Sequence, residues 1–134
     1  MTSNEIFILN TVLWAILSFM GMFKHLRNNQ TILTLLVISA LYGCVSVFVH
    51  IFISRMDDLS SYSFWSPFVY LVLYGFLRYL YLKIYHREPT YNKASWYDPE
   101  EGRKQNTLDV LVHLLPMGVS LIFPFLVKKL MTYF

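Results

Sequence analysis

This sequence predicts an all-α, polytopic integral membrane protein in which four transmembrane helices form a single bundle. Of its 134 residues, 56% are hydrophobic and only 14% are charged, whereas an average soluble domain is about 25% charged. Four long apolar runs each approach the ~20 residues that a helix needs to cross the hydrocarbon core of a bilayer. One long polar stretch, residues 86–106, separates the third run from the fourth.

The runs predict spans at about residues 6–23, 31–54, 64–85 and 108–127. Even the shortest of them would extend roughly 27 Å at the rise of an α-helix, which just crosses a hydrocarbon core. We expect residues 55–63 to form a polar connection. Ser66-Pro67 predicts a helix start, because a capping hydroxyl followed by proline is common at that position.

The fourth span is predicted to be the least regular. Asp98-Pro99 has the same cap-and-proline pattern and predicts a helix that continues from the loop into the span. Pro116 and Pro124 each remove a backbone hydrogen bond and predict kinks. The alternative is a re-entrant hairpin that turns at Pro116.

Lysine and arginine placement predicts the orientation. With the N-terminus outside, the cytoplasmic loops contain seven of these residues and the outer side contains three, as the positive-inside rule favours. The loop of residues 86–106 is then cytoplasmic. A hairpin at Pro116 would also move Lys128 and Lys129 inside. Because the chain is small and has no recognisable processing signal, we expect a bacterial inner membrane.

Polar and small side chains recur at helical spacing and form a stripe within each span. The third span has a tyrosine stripe, which consists of Tyr70, Tyr74, Tyr81 and Tyr85. The second span has a stripe suited to close helix packing, which consists of three small residues and a histidine: Ser39, Gly43, Ser46 and His50. Because lipid tails favour apolar surfaces, these stripes should face one another. The alternative is that they line an aqueous path.

Arg78, Asp109 and His113 are predicted to lie at a similar depth, near the cytoplasmic interface. An ionisable group inside a bilayer costs a few kcal/mol, so a partner is expected. Asp109 could pair with Arg78, and His113 could relay a proton. The alternative is that Arg78 extends to the headgroups and Asp109 merely starts the last helix.

The polar loop predicts either a cap lying on the membrane surface or a docking face for a partner. Its aromatic and basic candidates are Tyr91, Trp96, Tyr97 and Arg103. The histidines are too scattered for a metal site, and Cys44 is the single cysteine. We expect no metal, cofactor or nucleic acid, since no phosphate loop, nucleophile elbow or strongly basic face occurs.

Two functional hypotheses remain. The first is a non-catalytic subunit, inhibitor or scaffold that binds another membrane protein, or its own copies, through helix faces and the loop of residues 86–106. The second is an oligomeric channel or small-solute transporter lined by the tyrosine stripe, Arg78, Asp109 and His113. No enzymatic activity is expected.

Overall fold

A computed structural model describes residues 2–22, 25–52, 57–90, 97–98, 103–104 and 106–133. Its helices are α1 (Ser3–Met22), a 3-10 turn (His25–Arg27), α2 (Asn29–Phe52), α3 (Asp58–Ser63), α4 (Ser66–Tyr85) and α5 (Thr107–Met131). Two short strands, β1 (Tyr97–Asp98) and β2 (Arg103–Lys104), pair antiparallel. The structure is therefore helical, as predicted.

In the part of the chain that the structure describes, four helical stretches are long and apolar enough to cross a membrane: residues 3–20, 29–50, 58–85 and 107–131. Their number agrees with the sequence prediction, and this composition suggests residence in a membrane. Large apolar side chains on these helices face outward and are exposed, among them Ile8, Leu41, Phe48, Phe76 and Ile122. Outward apolar faces are what lipid tails accept.

Two predicted boundaries were wrong. Asp58–Ser63 is helical, because Asp57 accepts a hydrogen bond from the Ser60 amide and caps α3. The predicted helix from Asp98 does not continue into the last span, since Arg103–Lys104 is a strand paired with Tyr97–Asp98. Asn106 caps the last helix instead, and α5 begins at Thr107.

Helix α5 is continuous through Pro116 and Pro124, so the predicted alternative of a hairpin turning at Pro116 is wrong. Each proline lacks the amide that would bond four residues back. Ser120 Oγ donates to the Pro116 carbonyl at 2.6 Å, and α5 packs on α1, α3 and α4. Pro116 and Pro124 are both buried.

Helix α5 packs on α3 and α4, α2 on α4, and α1 on α3, α4 and α5. Among the described residues, eight buried apolar side chains form the core: Trp14, Leu26, Ile32, Tyr70, Leu71, Tyr74, Tyr81 and Val112. Gly43 allows the Trp65 indole to approach α2, because a Cβ at this glycine would lie 2.8 Å from the ring. This contact fixes the start of α4 against the middle of α2.

Candidate functional site

One end of the bundle places charged groups in its interior; we call it the charged end and define it by Arg27, Asn29, Arg78, Glu88, Thr90 and Asp109. Arg78 is only 6% exposed. Its Nε and Nη2 donate to the two carboxylate oxygens of Glu88 at 2.8 and 2.5 Å. Nη1 donates to the Asn29 side chain at 2.6 Å, and Nη2 also donates to the Arg27 carbonyl. Arg78 thus joins α4 to the start of α2.

Residues 86–90, the return segment, bring Glu88 back over the helix that precedes it. His86 ends α4 in the left-handed conformation, with φ of 53°, and its amide donates to the Leu82 carbonyl. This conformation reverses the chain at the helix end. Pro89 and Thr90 are buried, and the Pro89 carbonyl accepts from Arg27 Nη2 at 3.5 Å.

Asp109 fixes the other end of the return segment. It is fully buried and accepts hydrogen bonds from the Thr90 amide at 3.2 Å and the Asn106 amide at 2.8 Å. Asn106 and Asp109 form a reciprocal capping box at the start of α5. A carboxylate there also complements the positive end of the helix dipole. Asp109 therefore starts α5 and holds the return segment.

Three members of the tyrosine stripe, Tyr70, Tyr74 and Tyr81, are buried inside the bundle. Tyr70 and Tyr74 stack with ring centroids 5.9 Å apart, and Tyr74 lies 5.6 Å from the His113 ring. Tyr70 donates to the Ser18 carbonyl at 3.4 Å. Tyr81 is buried against Tyr85, which is half-buried. The stripe thereby connects α4 to both α1 and α5.

The opposite end uses mainly hydroxyl and amide groups, with one carboxylate, Asp57, at the surface; we call it the serine end and define it by Ser3, Asn10, Tyr42, Asp57, Ser60 and Ser63. Asn10 Nδ2 donates to Ser63 Oγ at 2.6 Å, and the Tyr42 hydroxyl donates to Asn10 Oδ1. Between the two ends, Trp14 Nε1 donates to Ser120 Oγ at 2.7 Å. A cavity of about 10 Å³ beside Asn10 and Trp14 has room for about one water molecule.

Hydrogen bonding lowers the pKa of the Asp57 carboxyl at the serine end. Ser60 is the largest cause, followed by the Ser3 hydroxyl, which donates at 2.7 Å; Lys128 adds a favourable charge. These contacts stabilise the ionised form of a residue that caps α3. Asp57 therefore joins α1 to α3 at the surface of the bundle.

Arg78 pairs with Glu88, and not with Asp109 as the sequence predicted. The two helices are joined indirectly, because Glu88 bonds to Arg78 and Thr90 bonds to Asp109. His113 Nδ1 donates to the backbone carbonyl of Asp109 at 2.8 Å, not to its carboxylate. This arrangement braces α4 and α5.

The packing residues of α2 are buried at Ser39, Gly43 and Ser46, whereas His50 is exposed. His50 lies in the last turn of α2, on the same face as the buried residues. A side chain on that face is buried only where another helix packs against it. Among the loop candidates, Tyr91 and Trp96 lie outside the described residues. Tyr97 and Arg103 are described only as backbone, in β1 and β2.

Sequence reasoning missed Glu88 and Thr90, since both belong to the loop as a sequence segment. It also missed Asn106, although Asn106 followed by Asp109 at the third helical position resembles a capping box. Tyr42 and Ser63 carried no signal, because a lone phenol or hydroxyl fits many environments. No three His, Cys, Asp or Glu residues cluster as metal ligands within the described part of the chain.

No protein-family model, curated protein or solved structure matches this chain. The arrangement of its own residues is therefore the basis for a functional proposal.

Proposed function

We propose that this chain is a small, non-catalytic integral membrane protein with a four-helix transmembrane bundle. It acts as a subunit, inhibitor or scaffold that binds another membrane protein or a second copy of itself. One observation carries this proposal: the polar side chains inside the bundle bond to one another and join its helices. They serve the internal structure, so recognition falls to the outer surfaces.

Those surfaces offer two places for a protein partner. A groove of about 200 Å³ lies between α1 and α2, and its walls include Leu13, Leu17, Leu35, Ile38 and Pro67. Such an apolar depression can accept side chains of a neighbouring transmembrane helix, since helix association in lipid relies on close packing. The second place is the end carrying residues 86–106, where a membrane-surface cap or docking face is predicted.

Conduction has less support. Tyr70, Tyr74 and Arg78 are at most 6% exposed within one chain, so they have little surface left to line a path between chains. Arg78 and Asp109 are held by internal hydrogen bonds. A relay through them would first have to break contacts that hold α4 and α5 together.

We further propose that the N-terminus is outside and the loop of residues 86–106 is cytoplasmic. Arg27, Lys83 and Arg87 lie towards the charged end, beside that loop, as the positive-inside rule favours. A bacterial inner membrane is the proposed location, and the bilayer itself is the first partner.

Site-directed photo-crosslinking in the native membrane tests the proposal. We would place a photoreactive residue at Ile38, in the α1–α2 groove, or at Trp96 in the loop, with exposed Leu114 of α5 as the matched control. The expected result is a discrete protein adduct from Ile38 or Trp96 and none from Leu114. A folded chain that gives no adduct at any position, and that carries ions across proteoliposomes, would overturn it in favour of conduction.

A further inference from the structure

A second outward groove, between α2 and α4, ends at the charged end. Its volume is about 310 Å³, at the lower end of the range of roughly 300–1,000 Å³ for small-ligand sites. The wall is almost entirely apolar or aromatic: Ile32, Leu33, Leu36, Gly75, Tyr79 and Leu82. Its polar groups, Asn29 and Arg78, lie together. The groove therefore has an apolar wall and a polar end, which match the apolar and polar parts of an amphiphilic molecule.

Arg78 has one hydrogen-bond donor left at this groove. A guanidinium carries five N–H groups, and four hydrogen bonds are made: one from Nε, two from Nη2 and one from Nη1. The second N–H of Nη1 has no acceptor among the described residues. Because a buried charged donor without an acceptor is costly, an oxygen acceptor is expected beside Nη1. Glu88 occupies the Nε side of the guanidinium, so the acceptor must approach from elsewhere.

The charge around the groove favours an anion. Arg27, Arg78, Lys83 and Arg87 are the cations of this end among the described residues, and Glu88 and Asp109 are its carboxylates. Lys83 is exposed and follows the groove residue Tyr79 by one helical turn. Juxtamembrane cations of this kind attract anionic lipid headgroups.

The polar end of the groove favours an amphiphile over a transmembrane helix as the occupant, because an apolar helix surface would offer no acceptor to Asn29 and Arg78. A single hydrocarbon chain is thinner and lies naturally on this outward face.

We propose that the α2–α4 groove binds one acyl chain of an anionic glycerophospholipid. A phosphate oxygen of this lipid accepts a hydrogen bond from the remaining N–H of Arg78 Nη1. Lys83 attracts the headgroup from the surface. This groove is separate from the α1–α2 groove proposed above, because the two share no lining residue, although both use α2.

Native mass spectrometry of the full chain, released from nanodiscs, tests the site with phosphatidylglycerol and phosphatidylcholine of identical acyl chains. Gly75→Leu fills the groove, and an added Cβ there meets only Ile32 at 3.7 Å. Gly118→Leu is the matched control, since nothing lies within 4 Å of a Cβ at that position. Lys83→Gln removes charge from an exposed side chain and leaves the fold unstrained. Circular dichroism checks that each variant is helical.

The chain should retain one phosphatidylglycerol in preference to phosphatidylcholine. Gly75→Leu should weaken retention about tenfold, while Gly118→Leu should leave it unchanged. Lys83→Gln should weaken the retention of phosphatidylglycerol about fivefold, because that is the contribution of one cation near an anionic membrane surface. Equal retention of the two lipids, together with no loss in Lys83→Gln, would overturn the proposal. So would a photo-crosslink from Leu33 to a polypeptide instead of a lipid.

Discussion

Inside the serine end, the helices are joined by hydroxyl and amide groups, and its one carboxylate, Asp57, lies at the surface. The charged end joins its helices with a buried arginine and two carboxylates. Asn10, Ser63 and Tyr42 lose little by leaving water, since each is neutral and finds a partner nearby. Arg78 and Asp109 would lose far more without their partners. The neutral contacts can therefore be broken singly at small cost, but the charged contacts depend on one another.

Replacing Arg78 should have the largest effect on stability. Arg78→Met leaves Glu88 without its counter-charge and removes the donors to Asn29 and the Arg27 carbonyl. We expect a loss of about 3 kcal/mol, the lower end for breaking a buried ion pair, because the Glu88 side chain is 29% exposed. The free energy of unfolding in mixed micelles measures it, with exposed Lys83→Met as control. A loss no larger than that of Lys83→Met would contradict the charged end as the main brace.

Two glycines offer a matched comparison between the ends. Gly43→Ala places a Cβ 2.8 Å from the Trp65 indole, whereas Gly75→Ala meets only Ile32 at 3.7 Å. We expect Gly43→Ala to cost about 2 kcal/mol through overpacking. Gly75→Ala should be neutral or gain up to about 1 kcal/mol from helix propensity. Thermal melts of both variants measure the difference, and equal melting temperatures would exclude a tight α2–Trp65 contact.

Removing a neutral partner should cost less. Asn10→Ala breaks the hydrogen bonds to Ser63 and Tyr42, and we expect a loss of about 1 kcal/mol, as for other hydrogen bonds between transmembrane helices. Asn4→Ala, at an exposed position of α1, is the control. Unfolding in mixed micelles gives both values. A loss as large as that of Arg78→Met would mean that the two ends are equally strong.

The smallest effect should appear in acid. The pKa of Asp57 is lower in the folded chain than its ordinary value of 3.8. The ionised Asp57 therefore stabilises the folded chain when the pH is above 3.8. This stabilisation is lost as the pH falls through the lower folded pKa. Melting temperatures measured from pH 6 down to below the folded pKa should fall less in Asp57→Asn than in the parent chain. Parallel curves for the two proteins would show that the Ser3 and Ser60 contacts do not stabilise the carboxylate.

Local pattern was enough to find the spans and the inward faces. Tyr70, Tyr74 and Arg78 are buried at the spacing that placed them on one face, because helix geometry is the same wherever a helix forms. The partner of Arg78 was not recoverable, since Glu88 reaches it only after the chain reverses at His86. His50 was predicted to be a packing residue because of the face on which it lies, but it is exposed. Its burial depends on neighbouring helices, which the periodicity of one segment does not reveal.

Composition and periodicity sufficed to establish four apolar helices with polar stripes turned inward, because hydrophobic length and helical repeat are properties of a continuous segment. The contacts that join the helices to one another could be identified only from the tertiary structure. Glu88 on Arg78, Thr90 on Asp109 and Trp65 on Gly43 join residues whose proximity depends on how the whole bundle assembles. The energy of a buried charge is set by the atoms around it, and those atoms come from other helices.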